Sequence, residues 1–128
     1  MSDLLLPASF SRVTVFQRVV PVTGRPDLTD PITGRIVIPA LLELHLRRDE
    51  GTPNGTRERA HVAVTGPRRL KSQQPGKSIT SIGWHSANGD DYRRGAARPD
   101  WVTEELAGLL PDGWDPALLD LTHGGEPR

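Results

Sequence analysis

The stretch Leu42-Glu43-Leu44-His45-Leu46-Arg47 decides the fold. Its leucines fall two apart, with Glu43, His45 and Arg47 between them. Side chains two apart share one side of an extended strand, whereas a helix brings together residues three and four apart. The spacing therefore predicts a strand, even though leucine alone is a good helix former. Residues 49–56 follow, rich in Gly, Asp, Asn and Pro and so in turn chemistry. Beyond them Ala60, Val62 and Val64 alternate with Arg59, His61 and Ala63. Two alternating runs joined by a turn read as a β-hairpin. If paired positions sum to 106, Leu46 faces Ala60, Leu44 faces Val62 and Leu42 faces Val64. The opposite side then pairs Arg47 with Arg59, His45 with His61 and Glu43 with Ala63. A slip of one residue would set leucines against polar side chains, so the parity is well specified. A slip of two keeps the faces and leaves the partners open.

Working outward, Val13, Val15 and Val19 alternate with Thr14, Phe16 and Arg18, a strand pattern that should stop at Pro21. Pro21-Val22-Thr23-Gly24-Arg25 recurs as Pro31-Ile32-Thr33-Gly34-Arg35. Proline pre-sets a turn and glycine supplies a positive φ, so both copies read as tight turns flanking an irregular connection. Ile36-Val37-Ile38 is a short strand, stopped or bulged at Pro39. Gly66-Pro67 is expected to end the valine strand, and Gln74-Pro75-Gly76 to form a turn before a strand over about residues 78–85, carrying Ile79, Ile82 and Trp84. Residues 86–98 lack periodicity and read as a loop.

A helix is expected over residues 99–110. Pro99 suits its first position, Asp100, Glu104 and Glu105 complement its dipole, and Val102, Leu106, Leu109 and Leu110 make one apolar stripe. Trp101 is expected in the core, with Trp114 left open. Asp115 should cap a short helical turn that has Pro116 first. The expected architecture is α+β: a mostly antiparallel sheet of about five strands with the C-terminal helix on one face. A β-sandwich-like arrangement with an appended helix is the alternative. Residues 12–121 form the domain, residues 1–11 a flexible arm and residues 122–128 a flexible tail.

The chain has 128 residues, enough for one domain, with no cysteine. Disulfides and thiolate metal sites are excluded, and a reducing compartment fits. No signal-peptide pattern is evident, and no run approaches the roughly 20 apolar residues of a membrane span, so a cytoplasmic protein is expected. Charge is balanced overall but uneven: residues 47–77 carry net +5, and residues 99–128 net −6. Arg47, Arg48, Arg57, Arg59, Arg68, Arg69, Lys71 and Lys77 supply the basic stretch and make a basic ribbon for nucleic acid a candidate. Against this, the stretch has no Phe, Tyr or Trp on which a base could stack.

Other motifs fail on chemistry. Gly76-Lys77-Ser78 imitates the end of a phosphate-binding loop, but Lys71 stands where the first glycine belongs and a strand, not a helix, is expected to follow. Two imidazoles and a carboxylate at His45, His61 and Glu43 could ligate a metal ion, although Arg47 and Arg59 on the same side would repel it. His85 and His123 fall in loop and tail, with no evident partner. Asp90-Asp91 and Arg93-Arg94 lie in the loop without a positioned partner for acid–base work. No cofactor motif is present, so none is expected.

Arginine-heavy composition, Arg98-Pro99-Asp100-Trp101 and Leu110-Pro111-Asp112-Gly113-Trp114 together resemble small actinomycete proteins of the kind encoded near phages and integrative elements. The resemblance covers the last quarter of the chain and implies no activity. The expected function is a non-enzymatic binding or accessory protein with a protein partner. Nucleic-acid binding through the basic hairpin and metal-assisted catalysis at His45 and His61 are the alternatives.

Overall fold

Alternating side chains leave one apolar face to be covered, and the chain covers it with its own C-terminal quarter. The computed structural model describes residues 11–31, 33–52, 55–86 and 98–122. The expected loop, tail and His123 lie, apart from residues 86, 98 and 122, outside the described residues, as does all of the expected arm but residue 11. The elements are β1 (Arg12–Pro21), β2 (Leu28–Thr29), β3 (Ile36–Val37), β4 (Leu41–Thr52), β5 (Gly55–Arg69), β6 (Pro75–Ser86), α1 (Asp100–Ala107), a 3-10 turn (Pro116–Leu119) and β7 (Leu121–Thr122). All strands join one antiparallel sheet in which β4 lies between β1 and β5, while β6 lies between β5 and β7.

The hairpin has the expected register: Leu42 opposes Val64, Leu44 opposes Val62 and Leu46 opposes Ala60. These six side chains are buried, and α1 adds Trp101, Val102 and Leu106 to the same core, with Leu109 and Leu118 beyond it. Each such aliphatic side chain contributes about 1.5–3 kcal/mol on full burial, so the face pairing is the main determinant of the fold. In β1, Phe16 opposes Leu46 and Val20 opposes Leu42, and both pack on the core. Val13, Val15 and Val19 point the other way and are exposed.

β3 continues the line of β4 along the same side of β5, with residues 38–40 between them. Ile38 N–H donates to the Pro67 carbonyl and Ala40 N–H to the Thr65 carbonyl, so three residues of one strand span two of the other. This bulge carries Pro39, as expected, but it also overturns the reading of Gly66-Pro67 as a terminator: β5 runs through both to Arg69. The bulge presses the Ile38 carbonyl onto Gly66, where a Cβ would lie 1.8 Å from the oxygen. Glycine is therefore required for close approach, not for a turn.

The repeated pentapeptide does two different jobs. The second copy closes the β2–β3 hairpin, with Gly34 N–H donating to the Asp30 carbonyl. The first interrupts the strand between β1 and β2, so the expected irregular connection contains a short strand at Leu28–Thr29. The β5–β6 turn lies at residues 70–74, with Gln73 at φ 70°, and Pro75-Gly76 begins β6. Pro99 stands one residue before α1 as its cap, extended at ψ 153°. Asp115 caps the 3-10 turn as expected, its carboxylate accepting from Ala117 N–H at 2.9 Å. Trp101 is in the core and Trp114 is half-buried against it.

Gly66→Ala is expected to destabilise the domain by about 3 kcal/mol through overpacking. Gly24→Ala, at φ +69° with open space around it, should cost only about 1–2 kcal/mol. Urea denaturation of the two variants tests the difference.

Candidate functional site

The outward parity that buries the leucines also assembles the site. His45 opposes His61 across β4–β5, and His61 opposes His85 across β5–β6. Three imidazoles thus form a row across three strands, with ring centroids 5.8 Å and 6.5 Å apart. His85 corrects the expectation of a loop histidine without a partner: β6 reaches Ser86, one residue beyond it. The signal was present in the parity, since His85 lies one residue after Trp84, which is fully buried.

Local contacts fix the row. His45 Nε2 lies 3.2 Å from Glu43 Oε1, and Thr65 Oγ1 donates to Glu43 Oε2 at 3.1 Å. His61 lies against β6 at Gly83, where a Cβ would come 2.8 Å from Nε2. Arg47 grips Asp49 through Nε and Nη2 at 3.0–3.1 Å, and Arg59 Nη2 reaches the same carboxylate at 3.4 Å. The Arg47 hydrogen bonds hold the Asp49 carboxyl below its ordinary range. His45, His61, His85, Arg47, Arg57 and Arg59 line a depression of about 650 Å³, together with Val15.

The metal expectation at Glu43, His45 and His61 is not met. Glu43 is engaged by Thr65, and among the described residues no group of three or more His, Asp or Glu side chains is placed to hold an ion. The eight bases do not make one ribbon either. Arg57 and Arg59 lie 9 to 12 residues along β5 from Arg68 and Arg69, which at about 3.3 Å per residue is roughly 30–40 Å. Arg48 is turned to the other face, where it pairs with Glu58 at 2.6 Å, donates to the Gly113 carbonyl at 2.6 Å and covers the Trp114 ring at 4.2 Å. Arg69 pairs with Asp27 and donates to the Gln73 carbonyl. Arg68, Lys71 and Lys77 are exposed at the far end. Gly76-Lys77-Ser78 lies inside β6, which removes the helix a phosphate-binding loop needs.

A second feature is the β1 edge. Ala60 N–H donates toward β6, to Ser86 Oγ, and Val22 N–H donates to the Ala40 carbonyl. In an antiparallel sheet these directions alternate along each strand. Even-numbered residues of β1 therefore bond to β4, and Val13, Val15, Gln17 and Val19 direct their N–H and C=O groups outward. Pro21 shares that parity, so the N–H it lacks is one that would have faced the open edge. Among the described residues no strand pairs with this side of β1.

No protein-family model, curated protein or solved structure matches the chain. Among the described residues no helix is long and apolar enough to cross a membrane.

Two outcomes follow. Arg48→Gln should destabilise the domain by about 1–3 kcal/mol, because it removes the ion pair to Glu58 and the cover from Trp114. Arg59→Gln, exposed at the surface, should change stability by less than about 0.5 kcal/mol. Thermal unfolding of the pair separates the structural base from the surface one. Gly83→Ala should displace the His61 ring, read as a shift of its imidazole resonances in two-dimensional NMR while those of His45 move less.

Proposed function

We propose that the protein is a non-enzymatic binding protein that engages a protein partner by strand addition along β1. The observation that carries this reading is an edge of 10 residues that no strand pairs among the described residues, and that displays Val13, Val15 and Val19 at 48%, 66% and 43% exposure. An open edge offers a row of backbone donors and acceptors, and proteins ordinarily guard such edges with lysine, proline or a bulge. Here the charges of β1, Arg12 and Arg18, lie on the face away from the three valines, its pairing with β4 is unbroken from Arg12 to Pro21, and proline guards only the end. An incoming strand gains affinity from main-chain bonds and specificity from alternate side chains. The valine row favours a partner segment with apolar residues at every second position. A cytoplasmic location, supported by the cysteine-free sequence, and an origin in an actinomycete mobile element, supported by the arginine-rich composition and the tryptophan motifs, belong to the same proposal.

Selection of random extended peptides against the purified protein is expected to enrich alternating apolar segments. Val15→Pro removes an outward N–H and should abolish that binding while the domain stays folded. Phe16→Pro removes an N–H bonded to β4 and should unfold it, by about 3 kcal/mol or more. Enriched peptides that bind Val15→Pro as well as the wild type would refute strand addition.

A further inference from the structure

We infer that the histidine row, together with Arg47, Arg57 and Arg59, forms a binding site for a ligand carrying consecutive phosphates. Register delivers the imidazoles in line across three strands, and the His61 and His85 rings lie nearly parallel at 26°. The three guanidinium groups stand at the same end of the hairpin, around the same depression. Asp49 does not cancel them: its side chain is 17% exposed, while those of Arg47 and Arg59, which it pairs with, are 51% and 43% exposed. The carboxylate thus orients two guanidinium forks and leaves part of each open to an anion. Held ionised by Arg47, it keeps that role on mild acidification.

The charges facing the row can be counted from each strand. β4 presents Glu43, Arg47 and Asp49, and β5 presents Arg57 and Arg59, while β1 presents the uncharged Val13, Val15, Gln17 and Val19. On β6 the residues sharing the outward face near His85 are Gly83 and Ser81. Among the described residues, three guanidinium groups against two carboxylates leave the site cationic even with every imidazole neutral, which disfavours a metal ion and favours an anion. Guanidinium forks match phosphate oxygens, and an imidazole that gains its second proton becomes a donor at both nitrogens. Affinity should therefore rise as pH falls through the range in which imidazoles charge. The length of the row suits successive phosphates rather than a single one. An inorganic phosphate chain and the backbone of a single-stranded nucleic acid share this chemistry.

Calorimetric titration of the full chain with inorganic triphosphate and with oligothymidylate, at about pH 5.5 and about pH 7.5, tests the site. Binding about tenfold tighter at the lower pH is expected. Binding of both ligands means the phosphate chain suffices, and binding of oligothymidylate alone means the strand is the ligand. The combined variant His45→Gln, His61→Gln and His85→Gln should lose the pH dependence, and the variant Arg68→Gln, Lys71→Gln and Lys77→Gln at the far end should keep it. Should the histidine variant not fold, ligand-induced shifts of the three imidazole resonances in the wild type give the same answer. Binding of neither ligand, pH dependence that survives the histidine variant, loss only in the far-end variant, or imidazoles unmoved by ligand would overturn the inference.

Discussion

The pairing of three leucines with Ala60, Val62 and Val64 is the constraint on which the rest of the structure depends. Leu42, Leu44, Val62 and Val64 are wholly inaccessible, and they meet Trp84, Val102 and Leu106 beneath the sheet. Strand parity admits no compromise, because moving one residue along would expose all of them together. What lies on the other side is then forced. His45, His61 and His85 share the opposite parity, and neither local propensity nor any metal is needed to bring them into a row. The same parity, carried through β4 into β1, decides which backbone groups of β1 stay unpaired at the sheet edge.

The second constraint is length. Strands as long as β4 and β5 cannot remain flat, and the break comes where Ile38-Pro39-Ala40 oppose Gly66-Pro67. The bulge lets β3 rejoin β5 at Arg68 and Arg69, and lets Arg69 reach Asp27. The acidic C-terminal quarter is held by only part of the basic stretch. Arg48 clasps Gly113 and Trp114, and Arg25, from outside that stretch, pairs with Glu105 at 3.0 Å while lying over the Trp101 ring. Arg98 donates to the Leu119 carbonyl and closes the segment on itself. The uneven charge of the sequence is thus partly internal, and the remainder is divided between two distant ends of one hairpin.

The hairpin register and its faces were legible because both runs alternate strictly and their apolar residues are large. The helix and the Asp115 cap were legible from local chemistry. Less legible were features that depend on a neighbour. Gly66-Pro67 reads as a stop in isolation, and only the bulge opposite turns it into close packing. In β6, Ile79 differs in parity from Ile82 and Trp84, so the strand shows no clean alternation, and the outward place of His85 at its end was obscured. The three valines of β1 look like a core face, yet the partly buried Phe16 and Val20 pack on the core instead because β4 sets their register. Arg48 and Arg57 are indistinguishable as letters and lie on opposite faces of the sheet. The candidate site was therefore half visible: two histidines of three, and arginines without the carboxylate that orders them.

Backbone proton contacts test the shared parity most directly. Residues 44 and 62 form a pair without mutual backbone bonds, as do residues 61 and 85, so their α-protons approach closely across the strands. A nuclear Overhauser spectrum should show strong contacts from Leu44 Hα to Val62 Hα and from His61 Hα to His85 Hα. Strong contacts from Leu44 Hα to Ala63 Hα, or from His61 Hα to Trp84 Hα, would mean the sheet is shifted by one residue and would contradict the account.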